Sequence, residues 1–570
     1  MPALSKAACR WLQPLIMTSM KIRFYILISI FLHSLVSSGQ IPDWTWAKNY
    51  GSFQSSQGRS IATDENGNIC VTGTFSSPTI DFDSITLTNK GTVDAYIAKL
   101  DSLGNIIWAK SFGGTDWEVP TSITVDKYGN IFITGYFMSH NLSIDSIIIT
   151  NPDTLSWNAN IFTIKYDSSG NLKWAKIAGG INDDYAYGIT TDAIGNVYLV
   201  GTFLSPTMYF DTNTITNAGF CNILIAKYDP SGNIIWAKCA GGNSWDSGNS
   251  IASDENDNIY ITGNYSSPVI TFDSITLTNA GSENIFISKY NTSGNVIWAR
   301  SAGGNLYDSG NGITLDTYKN IIITGNFSSH IITFGSFILN NIFTSDTTSD
   351  IFVAKYDSLG NVLWAKCSGG IEDEYSFGIT TDAGCNIYLT GLFSSSTINF
   401  NGTILSNAGL NDFYILKYDL LGNEKWAKSG GGSKEETGYG IIADYYGNIY
   451  LTGYFKSDSV SFDSITLSLN GIANVYIAKL KTNIPSGIEN IFTDSDSFVV
   501  YPSPTSSDFT IIVPASARQI QISNSLGQII QQVIVDRQEN FSFTLRKSGL
   551  YFIQVMTDKK TVTKKIIVSK

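Results

Sequence analysis

Six carboxylates recur at one fixed place in the chain. They are Glu118, Asp184, Asp246, Asp308, Glu374 and Glu436, each ten residues after a Trp and each following a Gly-Gly pair. A seventh equivalent place holds Ser56. Carboxylates gathered round one rim attract a cation or a cationic ligand, and calcium is the ion such oxygen ligands suit. The alternative role is local, with each acid solvated or capping the amides of its own loop. Trp117 and Trp245 stand beside two of these acids. An indole there either stacks on a carbohydrate ring or is a partly covered loop aromatic.

Other reactive constellations are thin. Beyond the N-terminal segment only His140 and His330 remain, at equivalent loop positions where Pro78, Pro206 and Pro268 stand elsewhere. A Ser-His-Asp triad has no distinctive set of residues. No Cys/His cluster with zinc spacing occurs, and no Gly loop leads from a strand into a helix to cradle phosphate. A carboxylate pair for glycoside cleavage stays open, because any acidic mouth offers one. The longer loops Asn151 to Asn160 and Asn341 to Asp350 add only Asp153, Asp346 and Asp350. Cys9 lies upstream of the apolar N-terminal run, which leaves five cysteines, an odd number that excludes a full disulfide framework. Cys221 and Cys239 flank one predicted hairpin and either pair or pack as small side chains. A net charge of −12 argues against nucleic acid as a partner.

The elements that position these residues are repeats. A Trp-Ala-Lys/Arg triplet begins at Trp46, Trp108, Trp174, Trp236, Trp298, Trp364 and Trp426, at intervals of 62 or 66 residues. Columns headed by Asp64, Asn68 and Gly73 keep step with it. Each unit reads as about four short strands plus a hairpin, with no helix of ten residues. Ile69 to Phe75 alternates as a half-buried strand. Asp101 to Asn105 spells a hairpin turn with a left-handed Gly. The Asp64 column reads as turn acids and the Trp column as packing between units. Six such turns serve seven Trp strands, so the Trp46 strand and the Tyr476–Lys479 strand are two halves of one hairpin. The expectation is an all-β chain with a seven-bladed β-propeller closed by an N-terminal strand. An open β-solenoid is the alternative.

The ends differ from the repeats. Lys21 and Arg23 precede the apolar run Phe24 to Leu35, and Ser37 and Gly39 suit cleavage before Gln40. This predicts a signal peptide at 20–39 within an N-terminal extension 1–39, with Met20 as the true start. No Cys follows the cut to carry a lipid, and no other stretch is long enough to span a membrane. The propeller is assigned 40–482, a polar linker 483–497, and a small β-sandwich domain 498–570 with seven short strands. That last part holds nine Lys and Arg against four Asp and Glu.

Two resemblances follow from these motifs. The run Gly188 to Gly201, repeated at Gly440 to Gly453, resembles secreted bacterial β-propeller repeats. Tyr501-Pro502-Ser503-Pro504, the turn at Gly527, Gly549 with Tyr551, and the closing Lys564-Lys565 resemble the C-terminal sorting domain of type IX secretion. That family usually has Asn where Ser503 stands, and an ordinary accessory sandwich is the plain alternative. The resemblance implies the secretion machinery as a partner and export to the medium or the outer cell surface. The Asp-Ser-Ile triplets at Asp83 and Asp273 resemble short O-glycosylation acceptors of the same bacteria, or are strand-edge turns. The expected function is a non-enzymatic scaffold, without cofactor unless calcium fills the acidic ring, that binds a glycan, polymer or protein through a propeller face. A secreted hydrolase with an asymmetric acidic site at one channel mouth is the alternative.

Overall fold

The computed structural model describes residues 41–151, 158–342, 348–400 and 402–481, and most of 499–568. The predicted signal segment 1–39 and linker 483–497 lie outside the described residues. The chain divides into two compact units, at 482/483.

The first repeat runs β1 (Trp44–Tyr50), β2 (Ser56–Thr63), β3 (Ile69–Phe75), β4 (Thr79–Phe82), β5 (Ile85–Thr88), β6 (Asp94–Leu100) and β7 (Ile106–Phe112). Strands β2-β3-β6-β7 form one antiparallel sheet, and β4-β5 form a separate hairpin. Short runs of Ile, Val, Tyr and Thr favour strands, and the turns between them are set by Asp and Gly. At Asp101 the side-chain Oδ1 accepts the amides of Leu103 and Asn105, both at 2.9 Å, and Gly104 takes φ +84°. A residue with a Cβ would be strained there. Asp64 holds the β2–β3 turn in the same way through the amides of Asn66 and Asn68.

The expected half-burial of Ile69 to Phe75 is corrected. Every residue of β3 and of β6 is buried, so both faces of the sheet are covered. The covering comes from neighbouring sheets: one core joins Ile61, Val71 and Tyr96 to Tyr450, Val475 and Ile477. Strands buried on both faces lose the polar alternation that one solvated face would impose.

Six further four-stranded sheets repeat this order. The last is Glu436–Ala443, Asn448–Phe455 and Asn474–Lys481, completed by β1, with Trp46 opposite Lys479. Neighbouring sheets are pinned by the Trp column. A Cβ on Gly104 would lie 3.1 Å from the Trp46 indole, whose Nε1 donates to Ser102 O at 3.4 Å. Trp108 packs on Gly170 and Trp174 on Gly232 in the same manner. The Asp83-Ser84 pair is the two-residue turn of β4-β5, with Asp83 at φ +53°. This is the primed turn that suits a tight hairpin.

The first strand of each sheet is an edge strand, and the edge strands lie side by side. Ile123 N donates to Ser60 Oγ (3.2 Å), Thr121 Oγ1 to Ala186 O (2.7 Å), Asn249 Nδ2 to Gly310 O (3.0 Å) and Asn311 Nδ2 to Ser376 O (3.1 Å). Ala443 N donates to Thr380 Oγ1 (3.3 Å), and Gly440 packs on Ile61. The strand pairing puts the Gly-Gly loops and the hairpin connections at one end of every sheet and the Asp turns at the other. These are called the long-loop end and the turn end below.

The second unit holds a three-stranded sheet of Val499–Tyr501, Asp508–Ile512 and Asn540–Thr544. Its four-stranded sheet is Ile529–Ile534, Ala517–Asn524, Gly549–Thr557 and Thr561–Val568. Phe509, Ile511, Ile520, Ile522, Ile553 and Val555 share one core between them.

Candidate ligand-binding face

The acid column opens the edge strands at the long-loop end, and it is sealed. Glu118, Asp184, Asp246, Asp308, Glu374 and Glu436 are all fully buried, as is Ser56. Asp184 shows why. Its Oδ2 accepts Gly180 N and Ser205 Oγ, both at 2.8 Å, and its Oδ1 accepts the amides of Leu204 and Ser205 at 3.2 Å. Glu118 takes Gly114 N, Glu374 takes Gly370 N and Glu436 takes Gly432 N, each at 2.8 Å. The second Gly of every Gly-Gly pair thus supplies the amide that its acid accepts. The solvent-facing cation ring is corrected on this ground: the oxygens are turned into the loops, where all but Glu118 Oε1 accept loop donors. Among the described residues no cluster of three or more His, Cys, Asp or Glu is placed to hold a metal. Burial, the largest cause, pushes Glu118 and Glu374 up to about 7 and Asp184 and Asp308 up to about 6. A carboxylate without full solvation holds its proton to higher pH.

A serine column completes these caps and was not singled out in the sequence. Ser139, Ser205, Ser267, Ser329, Ser395 and Ser457 are buried, and each accepts a loop amide, as Ser205 accepts Asn182 N at 3.0 Å. Its signal was available, since each Ser stands four residues after the Gly73 column.

Above the acids the long loops present apolar side chains to solvent. Trp117 is 48% exposed and Trp245 38%. Tyr307 stands at the same place in its loop, and Phe53, Ile181 and Ile371 stand two residues earlier in theirs, all exposed. Phe220, from the next connection, lies 6.0 Å from Trp245 between ring centroids. His140 and His330 are loop residues, and their carbonyls accept Asn151 N and Asn341 N just as Pro78 O accepts Asn89 N. The interior of both long loops, including Asp153 and Asp346, lies outside the described residues. Cys221 and Cys239 are free thiols. Cys221 is buried against Thr202, whereas Cys239 pairs in register with Leu224.

The repeats part company in one column of the edge strands, thirteen residues after each Trp. It reads Arg59, Thr121, Tyr187, Asn249, Asn311, Phe377 and Tyr439, every one half-buried. The arginine lies over the Tyr439 ring at 5.1 Å, and Tyr439 meets Phe377 at 5.3 Å and Tyr454 at 5.8 Å. Tyr136 packs edge-on against Tyr185 at 4.9 Å. Two other sheets are amide-lined: Asn249 donates to Asn264 Oδ1 and Asn311 to Asn326 Oδ1, both at 2.8 Å. Sequence reading passed over this column because it sought repetition, and here the column changes chemistry from unit to unit.

In the second unit Gly527 takes φ +78° in a turn closed by Gly527 N to Asn524 O at 3.0 Å. Tyr551 is buried in the core and donates its hydroxyl to Lys547 O at 2.9 Å. Gly549 begins the strand that carries Tyr551. Lys564 is held below its ordinary value by burial. Pro502 and Pro504 lie outside the described residues, as do the side chains of Tyr501 and Lys565.

Residues 499–569 match the secretion system C-terminal sorting domain, and residues 235–264 match the beta-propeller repeat family. The chain carries a β-propeller repeat and a secretion sorting tail. That tail marks it for type IX export to the cell surface or the medium, and implies contact with the secretion machinery. Among the described residues no helix is long and apolar enough to cross a membrane. An uncharacterised WD repeat-containing protein of Acanthamoeba polyphaga mimivirus is 25% identical over 73% of this chain and 36% of its own length. The regulatory protein FlaEY of Caulobacter vibrioides is 28% identical over 20% of this chain and 12% of its own. The chain thus spans about a third or less of the curated relatives it matches. Among solved structures, a gluconolactonase of Xanthomonas campestris aligns over 77% of this chain and 91% of its own, with 10% identity and a TM-score of 0.31. Sqt1 of Chaetomium thermophilum aligns over 76% of this chain and 99% of its own, with 8% identity and a TM-score of 0.38.

Proposed function

We propose that the seven sheets are the blades of a closed β-propeller, that the sorting tail is a β-sandwich, and that the exported protein is a non-enzymatic scaffold binding glycans through its long-loop end. Closure is supported by the join between first and last sheets. Ser56 N donates to Ala473 O at 2.8 Å, as Glu118 N donates to Val93 O at 2.9 Å between the first and second. The observation that carries the binding role is the row of exposed rings, Trp117, Trp245 and Tyr307, borne on loops whose acids accept their own amides. Rigid loops hold the rings in place at low entropic cost, and an exposed ring with a polar edge suits a saccharide face. Polymers and proteins with apolar patches are the other ligands such a rim would take. A hydrolase would need an acid–base pair open to substrate, and the column acids are buried.

The test is a glycan array and a hydrolase panel on the full mature chain. Saccharide binding that weakens in Trp117→Ala and Trp245→Ala supports the reading. Turnover that a single acidic substitution removes would overturn it.

A further inference from the structure

The junction of the first and last sheets holds polar groups that the fold leaves unused. Arg59 Nε is shielded from solvent and has no hydrogen-bond partner among the described residues. Gln57 Oε1 and Thr437 Oγ1 are buried and unpartnered as well. Gln57 and Arg59 share β2, and Thr437 precedes Tyr439 by two residues on the neighbouring edge strand. Leaving such atoms without partners costs about 1–3 kcal/mol each. Each such group in a native fold calls for a cause, and a ligand that supplies the partners is one.

The chemistry of the partner follows from the groups. Arg59 is the only cation in its column. Lys456, which lies over the Tyr454 ring at 5.7 Å, is already paired with Glu435. A guanidinium offers a planar fork to a carboxylate or a sulfate, with two parallel hydrogen bonds. Around it stand flat faces: Tyr439 under the guanidinium, Tyr454 beside Tyr439, and Tyr136 within reach of the Arg59 charge. Gln57 Oε1 accepts and Thr437 Oγ1 donates or accepts, which suits hydroxyl groups. An acid group, a ring and several hydroxyls together describe one class of molecule.

We propose that this junction binds a saccharide bearing an acidic group, with Arg59 on the carboxylate or sulfate and the sugar ring on Tyr439. The site deepens the glycan-binding reading above and rests on it. The chain's overall negative charge makes Arg59 the selective element, since the general field repels anions and one unpaired cation must attract them locally.

Calorimetry on the full mature chain tests the proposal with three probes: a galacturonic acid trimer, a 6-sulfated galactose oligomer and a neutral galactose trimer. At least one acidic probe is expected to bind about tenfold or more tighter than the neutral one, and which one identifies the acid group. Arg59→Gln should abolish that preference. Arg59→Lys should keep part of it, and Tyr439→Ala should weaken all saccharides. Should Arg59→Gln unfold, the Lys and Ala variants still decide the matter. Acidic probes that bind no tighter than neutral ones, while neutral binding still depends on Trp117 and Trp245, would overturn this site and leave the glycan reading standing. A chain that binds no saccharide of either kind, on calorimeter or array, overturns both.

Discussion

Asp94, at the start of β6, and Glu118, at the start of the next edge strand, bury their carboxyl groups at one seam between sheets. Both are fully buried. Desolvation, with the Asp94 charge adding to it, pushes Glu118 up to about 7, and burial pushes Asp94 up to about 6. The couple recurs as Asp350 with Glu374 and as Asp412 with Glu436, twenty-four residues apart each time. Where the edge-strand acid is Asp, the first position is Asn: Asn160 for Asp184, Asn222 for Asp246, Asn284 for Asp308. The repeats therefore avoid a second charge at three seams and keep one at three others.

A pH dependence follows. The carboxyls of Asp94, Glu118, Asp350, Glu374 and Asp412 titrate near 4 when unfolded and higher when folded. Their contribution to stability is full below about pH 4 and is lost as pH rises through 6 to 7, on the order of 3 kcal/mol for Glu118 alone. Thermal unfolding followed from pH 5 to pH 8 should show a falling melting temperature. Replacing Asp94, Asp350 and Asp412 together by Asn should flatten that slope, and an unchanged slope in the triple variant would count against the seam couples as its source.

The Trp46 contact provides a second test, aimed at the seam made by the chain ends. If β1 belongs to the last sheet as Trp108 belongs to the first, Trp46→Ala and Trp108→Ala should cost similar amounts. Partly exposed indoles lose about 2–3 kcal/mol on truncation. Denaturant unfolding compares the two directly. A Trp46→Ala variant as stable as the parent would mean that the seam carries no load.

Buried and exposed lysines should also separate. Lys355 lies 2.7 Å from Asp316, with both side chains almost wholly buried. Lys176 makes a 2.8 Å pair with Asp211 in the open. Lys355→Met strands a buried carboxylate and should cost about 3–5 kcal/mol. Lys176→Met should cost less than about 1 kcal/mol, in line with surface pairs. Equal losses would falsify the assignment of Lys355 as part of the interior.

What the sequence revealed was whatever repeats. The Trp, Asp and Gly columns marked strands and turns because a turn needs the same Asp oxygen and the same left-handed Gly in every unit. The β1 partner was legible as well, since an unpaired half-hairpin at each end calls for the other. The state of β3 was not: Ile69 to Phe75 carries Cys70, Thr72 and Thr74 in its alternate places, which reads as polar until a neighbouring sheet covers them. The fate of the acid column was equally hidden. Asp184 looks the same in sequence whether it faces solvent or accepts four loop donors, and only the position of Ser205 decides. Arg59 escaped notice because a site that breaks the repeat leaves no column to count.

The capping role of Asp184 gives a last prediction. Its carboxylate accepts the amides of Gly180, Leu204 and Ser205 and the Ser205 hydroxyl, and of these Leu204 N also donates to Asp183 O and the hydroxyl to Asn182 O. Asp184→Ala leaves the Gly180 and Ser205 amides without that acceptor, and each orphan costs about 1 kcal/mol or more, so the variant should lose about 2 kcal/mol. Asp184→Asn keeps an acceptor and should lose less. A calcium site would behave differently. Ion binding to the folded state raises stability with ion concentration, so added calcium would lift the melting temperature and a chelator would lower it. With the oxygens committed to the loop, neither addition should move the melting temperature by more than about one degree. A calcium-dependent rise that Asp184→Asn removes would return the column to the role of an ion site.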